Sequence, residues 1–163
     1  MTESSPSVIV VGVDGTPAAQ AALAFAMREA RLRGSALDVV TTWMWDVDSD
    51  NPSLGRSSDI ASHVRAAQDS AISAALAATA APPVIHRHVI EGTAGEELVR
   101  VSRNADYLVV GSSHKNVLKR ALLGSVSLYC VRHAACPVVV VPGAGTVENT
   151  VEVPSSMAVA SAG

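Results

Sequence analysis

The run Val8-Ile9-Val10-Val11-Gly12-Val13 constrains this chain more than any other segment. It is almost continuously apolar and lacks the alternation of a half-solvated strand. That is the pattern of a strand buried on both faces, and such strands belong to parallel sheets covered by helices. The run stops at Asp14-Gly15-Thr16-Pro17, a turn that also starts a helix, with a hydroxyl at the cap and Pro at the first helical position. Residues 18–33 follow with Leu23, Ala26, Met27 and Ala30 on one face, and Gly34 closes the helix.

The same alternation of elements continues. Leu37 to Trp43 is a second strand, followed by a polar stretch from Asp46 to Gly55. An Ala-rich helix is predicted from Ser57 to Ala80, stopped by Pro82-Pro83. Val84 to Ile90 carries polar residues on both faces, which suits an edge strand. Thr93-Ala94-Gly95-Glu96 has capping-box spacing and opens a helix to about Arg103. Tyr107 to Val110 is the fourth strand, Ser125 to His133 a helix, and Val138 to Val141 a fifth strand, with a loop or short helix over residues 111–123. Five strands alternating with helices predict an α/β three-layer fold around a mostly parallel sheet. One domain over residues 1–142 is expected, then a flexible tail of small and polar residues over 143–163.

Composition narrows the function. The 163 residues are 48% apolar and only 3% aromatic, a size that fits one domain with Ala and Val filling its core. The net charge of −3 lacks the basic excess that counterion release requires, so nucleic acid is not an expected partner. No apolar run reaches membrane-spanning length, and the first residues, MTESSPS, have no basic region of a secretory signal. Two cysteines are too few for a disulfide scaffold. A cytoplasmic protein is expected.

In open α/β sheets, ligands bind beyond the carboxyl ends of the strands where the strand order reverses. That rule draws attention to Asp14 and to the segment from Gly111 to Ser127. The segment leaves a strand at Gly111 and enters a helix at Gly124-Ser125, where unpaired backbone N–H groups welcome an anion. Ser125 and Ser127 add hydroxyl donors, and Lys115, Lys119 and Arg120 form the one dense basic cluster of the chain. Together they point to a phosphorylated ligand. The pattern is neither a Walker A loop nor a dinucleotide fingerprint, since GK[ST] and GxGxxG are both missing.

Over residues 7 to 142 the chain resembles the single-domain universal stress proteins. Their nucleotide signature is Gly, two residues, Gly, nine residues, then Gly with Ser or Thr; here it reads Gly111, two residues, His114, nine residues, Gly124-Ser125. His114 in place of the second glycine is the departure. Further matches are Val8 to Thr16, Leu122 to Ser127 and His133 to Val141. The resemblance implies a sheet in the order 3-2-1-4-5. It also implies ATP, with or without Mg²⁺, held by Gly12, Val13, Asp14, Thr42, Gly111, Ser112, His114, Lys115, Gly124, Ser125, Val126 and Ser127. It further implies a homodimer joined through Val138 to Val141, a regulatory rather than catalytic role, and a protein partner of unknown kind. The alternative is a non-nucleotide member acting as a dimeric interaction module.

Several residues have plainer readings. Asp14 suits the cap of its own turn, and Gly111 and Gly124 suit tight strand–helix packing. Asp46, Asp48 and Asp50 mimic a calcium loop, but Asn51 and Ser57 stand where Gly and Glu are needed. His86 and His88 share a strand face without an evident third metal ligand. Cys130 and Cys136 read as core residues. Trp43 and Trp45 either wall an adenine pocket or cover the sheet end.

Overall fold

A computed structural model describes residues 7–44, 57–112 and 123–143. The elements run β1 (Val8–Gly12), α1 (Pro17–Arg33), β2 (Ala36–Trp43), α2 (Ser57–Ala77), β3 (Ile85–Glu91), α3 (Ala94–Val101), β4 (Tyr107–Ser112), α4 (Ser125–His133) and β5 (Val138–Pro142). All four strand pairs are parallel, in the order β3-β2-β1-β4-β5. This is the α/β architecture and the strand order expected above. β3 is an edge strand, as its two polar faces require. Trp45, the Asp46–Gly55 stretch, His114, Lys115, Lys119, Arg120 and the tail beyond Gly143 lie outside the described residues.

The buried strand at the centre explains the layers. Ile9 and Val11 of β1 join Leu37, Val39 and Val109 beneath α1 and α2, which contribute Leu23, Met27 and Ile72. Val10 joins Val40, Leu108 and Val110 beneath α3 and α4, which contribute Leu98 and Cys130. Alternate residues of one apolar run thus seed two cores. Gln68 is a polar exception on α2. Its amide nitrogen lies 3.1 Å from the Val39 carbonyl, 3.0 Å from Thr41 Oγ1 and 3.0 Å from the His88 carbonyl, tying the helix to β2 and β3. Among the described residues no helix is long and apolar enough to cross a membrane.

Element ends depart from expectation where local chemistry intervenes. β1 closes at Gly12, yet the Val13 amide donates to the Val40 carbonyl at 2.8 Å, so the ladder extends one residue further. α2 ends at Ala77 rather than Ala80, because the chain must turn before the two prolines; Ala81 takes φ 53°. α3 ends at Val101 and tightens into a 3₁₀ turn over Ser102–Asn104. Thr93 stands at its N-cap, but its hydroxyl makes no capping bond, so the expected capping box is not formed. β4 runs on to Ser112, pairing Gly111 with Val141 and Ser112 with Pro142.

Gly111 is therefore inside a strand, and its packing explains it. A Cβ there would stand 2.6 Å from the Ala18 carbonyl carbon and 2.8 Å from the Ala19 amide nitrogen, both main-chain atoms of α1. The helix start rests directly on the strand. Gly111→Ala is expected to destabilise the fold by about 1–3 kcal/mol, read from the urea midpoint, because backbone cannot step aside.

Burial pushes the Cys130 thiol up to about 11, with Cys136 adding to the rise. The folded state thus prefers the protonated thiol, so this stabilisation is complete below the ordinary value of 9 and drains as pH rises through about 11. Burial and Glu29 also raise the Tyr107 phenol, the same direction. The expected outcome is a steeper fall of the urea midpoint between pH 9 and about 11 in the native chain than in Cys130→Ala.

Candidate functional site

A cleft of about 340 Å³ opens at the carboxyl ends of β1, β2 and β4. Its position follows from topology. β1 is followed by a connection to one neighbour, β2, while β4 lies on its other side, so the covering helices leave in opposite directions and a crevice remains between them. Gly12, Val13 and Asp14 from β1 and its exit, Thr42 from β2, and Gly111 from β4 line the cleft. Gly124, Ser125, Val126 and Ser127 line it from the start of α4. Nine of the twelve residues expected at a nucleotide site thus meet in one place. Ser112 is buried at the end of β4, where its carbonyl accepts from the Gly143 amide at 3.2 Å, and it does not line the cleft. His114 and Lys115 lie outside the described residues.

The start of α4 supplies the site's polarity. Gly124 is the N-cap and has no side chain to offer; its carbonyl accepts the first helical bond from Leu128 at 2.9 Å. The amides of Ser125, Val126 and Ser127 have no carbonyl one turn back to receive them. Partial positive charge of about half a unit gathers at such an end. A Cβ on Gly124 would meet only Ser127 Oγ, at 3.7 Å. Packing therefore accounts for Gly111 but not for Gly124. The hydroxyl of buried Ser127 donates to the Gly124 carbonyl at 3.0 Å, locking this first turn, which leaves the exposed Ser125 hydroxyl nearer the role of a free donor.

Asp14 caps its own turn, as its plainer reading holds. Its Oδ1 accepts from the Thr16 amide at 3.0 Å and from Thr16 Oγ1 at 2.6 Å, while Thr16 Oγ1 accepts from the Ala19 amide at 3.2 Å. Asp14 nonetheless lines the cleft, where it is the one ionisable residue among the described lining residues. Cap and cleft wall are compatible because a carboxylate has two oxygens.

The cleft also holds residues that sequence alone does not single out. Thr16 is the N-cap of α1 and Ala19 lies in its first turn, Val40 and Val110 come from β2 and β4, and Ala94 and Leu98 from α3. Leu98 presses its Cδ1 to within 2.9 Å of where a Cβ on Gly12 would lie, so Gly12 also allows α3 to close over β1. Thr16, Val40 and Val110 lie within two residues of Asp14, Thr42 and Gly111, whereas α3 reaches the site only through tertiary packing. Trp43 does not line the cleft; it pairs with Glu91, and its carbonyl accepts from the Gly92 amide at 2.9 Å, at the sheet end.

The other candidates resolve differently. Asp38 lies in register with His86, and its two oxygens stand 2.7 Å from His86 Nδ1 and 3.3 Å from His88 Nε2. His86 hydrogen-bonds Asp38 across the two strands, while the buried His88 Nε2 stands near the other oxygen without making a hydrogen bond. Among the described residues no group of three His, Cys, Asp or Glu side chains is arranged to hold a metal. Cys130 is a free thiol buried in the core, and Cys136 is a free thiol packed at its margin.

Comparison with known proteins places this geometry. Residues 7–142 match the model of the universal stress protein family. Universal stress protein Rv2623 of Mycobacterium tuberculosis is 36% identical over 142 residues, covering 82% of this chain and 46% of that protein. The chain thus spans about half the length of the curated relatives it matches. A universal stress protein solved in complex with cAMP superposes with TM-score 0.64 at 24% identity, covering 86% of this chain and 99% of that one. The universal stress protein of Archaeoglobus fulgidus in complex with dAMP gives TM-score 0.57 at 23% identity, covering 83% and 97%. Sequence and fold agree: the chain belongs to the universal stress protein family.

Proposed function

We propose that this chain binds an adenine nucleotide, ATP with or without Mg²⁺, in the cleft and works as a regulatory protein. The carrying observation is the uncapped start of α4 beside Gly124, where three amides and an open Cβ position face a cleft at the sheet's switch point. Phosphates would lie on Gly124 to Ser127, with the ribose near Asp14 and the base against Gly12-Val13 and Thr42. His114 and Lys115 follow β4 in the chain and belong to the same proposed set. Magnesium would arrive on the phosphates, since one carboxylate among the described lining residues is too few for a protein-built cage. The neighbours carrying cAMP and dAMP support an adenine nucleotide as the ligand class.

A regulatory role fits a site whose one ionisable group among the described lining residues already accepts two hydrogen bonds. Occupancy would be read as altered contacts with a second copy along the outer edge of β5, or with another protein. Free cysteines suit a reducing, cytoplasmic setting. The second reading, an interaction module without nucleotide, draws on Gly111, Ser127 and Asp14, each of which has a partner inside the protein.

Titration calorimetry of nucleotide-free protein separates the two. The expected result is saturable binding of ATP with Mg²⁺, weaker binding of AMP and none of GTP; absence of both heat and thermal stabilisation at millimolar ATP would overturn the nucleotide reading and leave the second. Gly124→Ala is expected to lower the melting temperature only slightly, since Ala is a poorer N-cap than Gly. It should nonetheless weaken ATP by about tenfold, about 1.4 kcal/mol, because the added methyl stands where a phosphate would approach the α4 amides. An unchanged affinity in that variant would remove α4 from the site.

A further inference from the structure

The geometry points to Tyr129 as a positioning residue that sets the distance between the α4 amides and the opposite, α3 wall of the cleft. This rests on the nucleotide reading above and names the residue on which its phosphate end depends. α4 has only nine residues, and of these only Ser127 and Cys130 are buried, while Leu128 and Val131 are exposed. So short a seat gives each remaining contact a large share in placing the helix. Tyr129 makes a close one to α3. A Cβ on Gly95 would lie 2.7 Å from Tyr129 Cδ1 and 2.9 Å from Cγ, so the ring rests on bare backbone. Its face stacks on His133, with centroids 4.2 Å apart and planes at 25°. His133 Nδ1 is in turn 2.9 Å from the Tyr129 carbonyl, which fixes the imidazole behind the ring.

The ring is thus clamped one residue from Ala94 and one helical turn from Ser125, and both of those line the cleft. Shrinking or displacing it changes the separation of two cleft walls without touching any lining atom. The α4 amides reach only a phosphate in the proposed arrangement, so a nucleoside lacking phosphate should not sense the change. The Tyr129 hydroxyl has no part in the clamp.

The experiment is a double-mutant cycle on the full chain, with ATP and adenosine as probes and a thermal melt to establish folding. Tyr129→Ala is expected to weaken ATP about tenfold, the size of one misaligned hydrogen bond to a charged group, and adenosine less than about twofold. Tyr129→Phe should keep native affinity for both. Gly95→Ala, which pushes on the ring, should weaken ATP in the native background and by much less in Tyr129→Ala, where only the Cβ, 3.2 Å away, remains. If Tyr129→Ala fails to fold, Tyr129→Ser, which likewise lacks the ring carbons that meet Gly95, takes its place in the cycle. Equal losses for ATP and adenosine, an unchanged ATP affinity, or additive effects of the two substitutions would overturn the positioning role while leaving the nucleotide reading intact. Native protein that binds neither probe would overturn both.

Discussion

β1 is paired on both edges and covered on both faces, and the remaining structure is arranged around those four contacts. Its hydrogen bonds to β2 and β4 fix the register of the two central pairs. Its alternate side chains, Ile9 and Val11 against Val10, divide the apolar material between the two cores. A strand so enclosed cannot shift by one residue without exchanging its two sets of neighbours. The end of the strand is therefore a fixed point, and Val13 and Asp14 leave it always in the same place.

The cleft is a consequence of that enclosure. Chain leaving β1 enters α1 on one face, whereas α3 and α4 cover the other, and the gap between them opens above the strand ends. Close backbone approach keeps the gap narrow. α1 rests on Gly111, Leu98 rests on Gly12, and Tyr129 rests on Gly95, three contacts in which a missing Cβ lets one element settle on another. Gly124 differs from these, because no neighbour occupies the space its Cβ would take up in earnest. Its value lies toward the cleft, where the uncapped amides of α4 gather partial positive charge. A protein of net charge −3 can thus present a local anion site without a lining cation among the described residues.

Polar residues that look alike in sequence separate once their partners are seen. Ser125 and Ser127 stand two apart at one helix start, yet Ser127 turns inward to bond the Gly124 carbonyl while Ser125 stays exposed. His86 and His88 share a strand face without an evident third ligand, and it is Asp38, nearly fifty residues earlier, that lies between them. Asp14 combines the two readings available to it, because one oxygen closes the turn while the residue still lines the cleft.

Much of this was legible from residue order alone. Strand burial, helix starts at Thr16-Pro17 and at Gly124-Ser125, and the parallel α/β class depend on local periodicity and capping, which act within a few residues and leave their mark in a few residues. Nine members of the cleft wall follow from the same local signals together with the family resemblance. The contribution of α3, the backbone contact that accounts for Gly111, the Tyr129 clamp on Gly95 and the placement of Asp38 beside two histidines have no such mark. Each depends on the distance between segments far apart in the chain, and that distance is set by the register of the sheet and the volume of the two cores. The sequence by itself determined which elements form and where their polar ends point; the tertiary structure alone decided which of those ends meet, because packing distances are properties of the whole fold.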